Sequence, residues 1–284
     1  MSVLVVKDLG KSYENFALCD VSFALEDGKI TGFIGRNGAG KSTVLKSMLN
    51  FVHPDKGEVF FFGKRYRENE QAIKQEIGFV AGGIDYYPKK KLRAITETTK
   101  RFYARWDDDA YARYLALFHL DERKTPDQLS EGMKVKYALA LALSHRARLL
   151  ILDEPTSGLD PVSREELLDI FLSLAEKGLT ILFSTHITSD LETCADNILY
   201  LKEGRLLACD DLARFVNGYR LVTFAGDTIP DAIQSRLIGL KKTKGGHSAL
   251  IKSPDCAEFC AEFCAERADL ASIMIHLEQE DARP

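Results

Sequence analysis

The sequence predicts an α/β fold with a largely parallel sheet, an antiparallel β layer and an inserted helical subdomain. Three observations carry this expectation. Through residue 209, short β-rich apolar runs alternate with helical stretches, and the runs at 30–34, 77–81, 149–152 and 181–184 read as strands. Near the amino terminus the runs at 3–6, 21–25 and 59–62 are shorter and joined by turns, which predicts antiparallel pairing. Between about Pro88 and His145 no strand pattern stands out, and charged residues mix with Leu, Ala, Tyr and Phe at helical spacing.

The stretch from Tyr137 to Leu143 alternates as a strand would, but Ala and Leu are strong helix formers. Ser130 offers an N-cap with the acidic Glu131 behind it, so a helix is expected there. After about Asn217-Gly218 the character changes to a motif-poor segment containing Gly226, Pro230 and the run Lys241 to Gly246. The expected organisation is therefore an α/β domain over 1–217, with a helical insertion at about 85–145, and a small carboxy-terminal appendage over 218–284. Within the appendage, Cys256-Ala-Glu-Phe-Cys260-Ala-Glu-Phe-Cys264 would line three thiols on one helix face. Three thiols lack the fourth ligand of a tetrahedral metal site, so the repeat reads as part of an amphipathic helix. Cys19, Cys194 and Cys209 sit in apolar surroundings and read as buried free thiols.

With 284 residues, 45% of them hydrophobic, the chain has ample material for a packed core. A net charge of -4 removes any general electrostatic drive toward nucleic acid. Residues Met1 to Gly10 show none of the features of a secretory signal, so the chain is expected to stay in the cytosol. No run approaches the ~18 to 20 apolar residues that a membrane-crossing helix needs.

The strongest local signal is Gly35-Arg36-Asn37-Gly38-Ala39-Gly40-Lys41-Ser42, between the strand-like run ending at Ile34 and a helix-like stretch from Thr43 to Leu49. Glycines at 35, 38 and 40 let the backbone bend so that successive N–H groups converge on phosphate oxygens, with the positive end of the following helix behind them. Lys41 would neutralise the β- and γ-phosphates, and Ser42 would offer its hydroxyl oxygen to Mg²⁺. The core is thus expected to be that of a P-loop NTPase, with ATP contacted by Gly35, Asn37, Gly38, Ala39, Gly40, Lys41, Ser42 and Thr43.

Downstream, Leu149-Leu-Ile-Leu152-Asp153-Glu154 reads as a buried strand ending in two carboxylates, where a parallel sheet delivers residues to its ligand crevice. Asp153 is the candidate partner of Mg²⁺ through its water shell. Glu154 is the candidate general base for an attacking water.

The segment Leu129-Ser130-Glu131-Gly132-Met133, just ahead of the Asp-Glu strand, resembles the signature of the ABC ATPases. In that family two such domains meet head to tail. The resemblance implies that Ser130 and the Gly132 amide bind ATP held by a second chain, at a helix N-terminus whose dipole favours anions. In the family's order, Pro155-Thr-Ser157-Gly-Leu-Asp160 is similar to the loop of dimer contacts, and His186 in Phe183-Ser-Thr-His186 to the switch histidine that contacts the γ-phosphate. Tyr13 in Lys11-Ser-Tyr-Glu-Asn resembles the aromatic residue that stacks on adenine. The resemblance covers roughly residues 1 to 210. It implies an ATPase, with Lys41, Glu154 and His186 as its catalytic residues, that powers a separate integral-membrane permease from the cytoplasmic face of the cell membrane. The details of 129–145 look like the branch serving bacterial exporters of drugs, peptides or lipid-like compounds.

The pattern is broken after residue 81 and, within the signature, at Glu131 and Met133. Where the family usually places a metal-sensing Gln, the sequence reads Ala81-Gly82-Gly83, and Asp85 either replaces that contact or is an ordinary loop residue. Lys89-Lys90-Lys91 with Arg93 reads as a solvated turn or as a contact with acidic permease loops or lipid. Two other readings stay open at this point: a soluble ATPase of the iron–sulfur assembly type, and an ATP-gated regulatory subunit that scarcely hydrolyses.

Overall fold

A computed structural model describes residues 2–81, 87–225, 229, 231–259 and 264–279. The chain divides into two compact units, Met1–Cys209 and Asp210–Pro284.

In the first unit, β1 (Ser2–Tyr13) and β2 (Phe16–Glu26) form an antiparallel hairpin. Along β2, Val21, Phe23 and Leu25 are buried while Ser22, Ala24 and Glu26 face solvent, the alternation of a sheet wet on one side. β3 (Ile30–Ile34) follows, every residue buried, and runs through a glycine loop into α1 (Lys41–Met48). β4 (Lys56–Phe61) returns to pair with β1, and β5 (Lys64–Arg65) with β4, giving the order β2-β1-β4-β5. α2 (Tyr66–Lys74) leads to β6 (Ile77–Ala81).

The helical arm comes next, with α3 (Leu92–Thr99), α4 (Asp108–Leu117) and α5 (Glu131–Ser144). The alternating Ala-Leu run is helix, as its composition predicts. Ser130 Oγ caps α5 by accepting from the Met133 amide at 3.3 Å, and Asp107 caps α4 by accepting from the Ala110 amide at 2.9 Å. Inside the arm the Thr96 hydroxyl links Tyr111 Oη (2.7 Å) and Tyr137 Oη (2.9 Å), so these buried polar groups are satisfied.

β7 (Leu149–Asp153), α6 (Pro161–Glu176), β8 (Thr180–Thr185), α7 (Thr188–Cys194), β9 (Asn197–Lys202) and β10 (Arg205–Asp211) complete the elements around the central sheet. Among the described residues this sheet has the order β10-β9-β3-β8-β7-β6, with β9, β3, β8, β7 and β6 mutually parallel. All residues of β3, β7 and β8 are buried, which explains why apolar residues dominate them without the alternation seen in β2. The carboxyl ends of these three adjacent strands point the same way, toward the glycine loop.

The second unit contains α8 (Leu212–Asn217), β11 (Tyr219–Ala225), α9 (Asp231–Gln234), β12 (Ile238–Thr243), β13 (Gly246–Lys252), α10 (Ser253–Phe259), β14 (Cys264–Arg267) and α11 (Leu270–Gln279). Its antiparallel sheet has the order β12-β13-β11-β14, so β11 to β14 form a split βαββαβ arrangement. Val222, Phe224, Ile233, Ala249, Ile251 and Cys256 build its apolar cluster. α11 lies close against β12 at Gly239, where φ is +60° and a Cβ would come 1.8 Å from the His276 carbonyl oxygen.

The cysteine repeat does not form one helix. Cys256 lies on α10, Cys260 falls outside the described residues, and Cys264 opens β14, paired in register with Thr223 of β11. Pairing of β14 along β11 overrides the four-residue spacing, so the three thiols share no helix face.

Candidate nucleotide site

Between β3 and α1 the chain makes a cradle that only glycines fit. Gly38 has φ +85° and Gly40, the residue capping α1, φ +108°, both in the left-handed region. A Cβ on Gly35 would come 2.3 Å from the Leu201 carbonyl oxygen, and one on Gly40 would come 2.5 Å from the Phe16 ring. The cradle opens into a cavity of about 370 Å³ lined by Phe16, Arg36, Asn37, Gly38, Gly40, Lys41, Ser42, Thr43, Glu154, Ser157 and His186. Backbone amides at a helix start, a lysine and an arginine make this an anion site.

Lys41 is 6% exposed, and its Nζ donates to the Gly35 carbonyl at 2.7 Å while lying 3.2 Å from Glu154 Oε1. Glu154 Oε2 is 2.8 Å from His186 Nδ1. An ionised carboxylate only accepts, so Nδ1 donates. Glu154 holds φ at +50°, a costly conformation for a residue with a Cβ, and its amide is fixed by the carbonyl (3.1 Å) and hydroxyl (3.0 Å) of Ser184.

One residue earlier, Asp153 Oδ1 accepts from Ser42 Oγ (3.1 Å) and Ser184 Oγ (2.7 Å). Register explains the bond from Ser184, because Asp153 and Ser184 stand side by side at the ends of β7 and β8. A hydroxyl and a carboxylate oxygen converging beside a phosphate cradle are hard oxygen donors of the kind Mg²⁺ takes.

The structure thus brings together Asn37, Gly38, Gly40, Lys41, Ser42, Thr43, Asp153, Glu154 and His186. Gly35 and Ala39 shape the loop from behind: Gly35 accepts from Lys41, and Ala39 is buried with its carbonyl accepting from the Gly204 amide at 3.0 Å. Four expected residues lie apart from the cavity lining. Tyr13 is 48% exposed, its ring 6.4 Å from that of Phe16, and Phe16 is the aromatic residue at the cavity wall. Ser130 and Gly132 sit at the start of α5. Asp160 caps α6, its Oδ1 accepting from the Val162 and Ser163 amides at 3.0 Å each and its Oδ2 from Ser163 Oγ at 2.6 Å. Those bonds hold the Asp160 carboxyl below the usual carboxylate range, that from Ser163 most of all. Gly82 and Asp85 lie outside the described residues.

Arg36 and Ser157 fall inside motifs read from the sequence but were given no contact with the nucleotide, while Phe16 and Ser184 are the residues sequence reasoning passed over. Only Ser184 carried a usable signal, a hydroxyl in register with Asp153 at the end of an otherwise apolar strand.

A strand, glycine loop and helix start facing paired carboxylates across adjacent parallel strands define a nucleotide-binding domain of the P-loop class. Known proteins narrow the class: the ABC transporter family model matches residues 18–157. The bacitracin transport ATP-binding protein BcrA of Bacillus licheniformis is 33% identical over 210 residues, 72% of this chain and 69% of that protein. The lantibiotic transport ATP-binding protein SrtF of Streptococcus pyogenes is 33% identical over 210 residues, 72% of this chain and 89% of its own. A solved ATP binding subunit of an ABC transporter superposes with a TM-score of 0.68 at 30% identity, covering 75% of this chain and 91% of that one. The chain belongs to the ABC transporter family as an ATP-binding domain, and members of this family hydrolyse ATP.

Proposed function

We propose that this chain hydrolyses ATP to drive a separate membrane permease that exports a drug, peptide or lipid-like compound. The observation that carries the reading is the Lys41, Glu154 and His186 chain of contacts at the wall of the phosphate cradle. It places a fixed positive charge for phosphate next to a carboxylate that can accept a proton from water. Relatives that transport bacitracin and lantibiotics support the exporter branch, and the iron–sulfur alternative has no such support.

In the proposed cycle the loop amides and Lys41 hold the β- and γ-phosphates. Ser42 and Asp153 would hold Mg²⁺, which when bound supplies further charge neutralisation on the phosphate oxygens. Glu154 takes the proton of the attacking water, while His186 orients Glu154 and reaches the γ-phosphate. A second copy or a related subunit, docked head to tail, presents Ser130 and the Gly132 amide from the start of its α5, and its Asp160 loop at the joint. Closure of the pair pushes on the permease, and hydrolysis resets it.

No helix among the described residues is long and apolar enough to cross a membrane, in keeping with a permease on another polypeptide. A groove of about 610 Å³ between β6, α3 and α5 offers a place for that partner. It is lined by Phe79, Phe102 and Tyr103, with Tyr87 and Phe102 exposed to 69% and 72% and Lys90 at its edge. The neighbouring Lys89, Lys91 and Arg93 suit acidic loops or headgroups at the cytoplasmic face. The test is to tag the chain, solubilise membranes of its native host in mild detergent and identify what co-purifies. A multi-helix membrane protein in stoichiometric amount is expected; a soluble scaffold alone would overturn the reading.

A further inference from the structure

Glu154 keeps a strained backbone only if the loop that follows it is held. One buried acid, outside the set just assigned, does the holding. Asp190, in the first turn of α7, is 1% exposed, and its Oδ2 accepts from the hydroxyl of Thr156, itself fully buried, at 2.6 Å. Its Oδ1 faces Arg164 Nε, in the first turn of α6, across 3.9 Å, and neither of those two atoms makes a hydrogen bond. That gap exceeds a hydrogen bond, but the buried carboxylate and the Arg164 side chain, 29% exposed, still attract as opposite charges.

We propose that Asp190 is a positioning residue for hydrolysis: it clamps the loop from Glu154 to Asp160 through Thr156, and the start of α6 through Arg164, and so holds Glu154 against His186. The geometry gives the clamp three anchor points. Thr156 lies two residues after Glu154, Arg164 four after Asp160, and Asp190 four after His186. One carboxylate therefore ties together the loops carrying both members of the catalytic pair and the helix capped by Asp160. Burial raises the Asp190 pKa, while Thr156, Arg164, His186 and Thr185 act in the opposite direction to favour its charged form. A buried carboxylate is costly unless it is paired, which argues that its place between these partners is maintained for what it holds.

The inference rests on the hydrolytic reading, and the experiment separates the two. Steady-state ATP turnover and thermal stability are measured for the full chain and for Asp190→Ala, Asp190→Asn, Thr156→Val, the Asp190→Ala/Thr156→Val double variant and Glu154→Gln. Turnover by the unaltered chain that is lost in Glu154→Gln upholds the base whatever Asp190 does. The clamp predicts that Asp190→Ala lowers kcat by about 10- to 100-fold, the cost of a misplaced catalytic group, with KM for ATP changed by less than about threefold. Asparagine can still accept from Thr156 but no longer attracts Arg164, so Asp190→Asn should recover part of the loss, with kcat at least about threefold above that of Asp190→Ala. Thr156→Val should share the loss, and the double variant should be no slower than Asp190→Ala. Should Asp190→Ala fail to fold, the asparagine and valine variants decide. An Asp190→Ala chain within about twofold of full kcat, an asparagine variant as slow as alanine, or a valine variant at full rate would each overturn the clamp.

Discussion

The expected site residues at the ends of β3, β7 and β8 come together within one chain, whereas those expected at the starts of α5 and α6 lie apart from them. On the strand side, polar atoms far apart in sequence meet in one cavity; Ser42 and Asp153 are 111 residues apart and share a hydrogen bond. Parallel strands in register do this, because they end side by side. On the helix side, Ser130 and Asp160 are each engaged in capping their own helix, and neither lines the cavity. A helix start offers outward-facing amides to an anion brought from elsewhere. The contrast is what a site shared between two chains would require.

The largest effect should come from the strand side. Removing the negative charge by Glu154→Gln should reduce turnover by about 100- to 10,000-fold while nucleotide still binds, since a base acts on the transition state and the cradle on the ground state. Binding measured with a fluorescent ATP analogue beside a phosphate-release assay distinguishes the two. Near-normal turnover would remove Glu154 from its role.

The helix side is probed by mixing. Alone, Lys41→Ala chains should lose tight nucleotide binding for want of the phosphate counter-charge, and Ser130→Ala chains about 100-fold in turnover for want of a donor at the partner's γ-phosphate. Mixed dimers of the two contain one intact composite site and one doubly damaged site. Turnover should therefore rise on mixing. If mixed dimers form, as shown by differently tagged chains, and no activity returns, the site is not shared and the contrast drawn above fails.

How much of this was legible in the sequence follows the same divide. The cradle and the Asp-Glu strand could be read because local chemistry dictates them: left-handed backbone at 38 and 40 demands glycine, and a strand buried on both faces demands an apolar run. Phe16 was passed over because its place at the cavity wall is set by the β1–β2 hairpin, while Tyr13 is the residue the motif points to. Asp190 gives no local sign, since a lone acid in the first turn of a helix is commonplace and only the fold puts Thr156 and Arg164 around it. The second unit was least legible. Lys241 and Lys242 carried no motif but lie on β12, an edge strand where lysines discourage further pairing, and the cysteine spacing read as helix where Cys264 belongs to β14. Long-range pairing, invisible in any one segment, decides those elements.

The smallest expected effect sharpens the comparison by asking whether the two halves are equally secure. His145 ends the helix that Ser130 begins. Its ring is 3.8 Å from Tyr103 and stacked at 6°, with Nδ1 3.3 Å from the Gln75 carbonyl oxygen. Burial pushes its pKa down to about 4 from the ordinary 6.5. The unfolded chain therefore takes up a proton on this ring as pH falls below 6.5, while the folded chain resists until about 4. Stability contributed by the neutral ring is complete above 6.5 and is lost across that window, to a total of about 3 kcal/mol. Amide hydrogen exchange, expressed as protection factors at both ends of the window, should show α5 losing protection before β3, β7 and β8. In His145→Phe, which keeps a ring to stack on Tyr103 but has nothing to protonate, the loss in α5 should be smaller. Equal loss in the helix and the strands, unchanged by the substitution, would mean that the arm and the phosphate cradle open as one unit, and that acid gives no means of loosening the helix-borne half of the site while the strand-borne half stays closed.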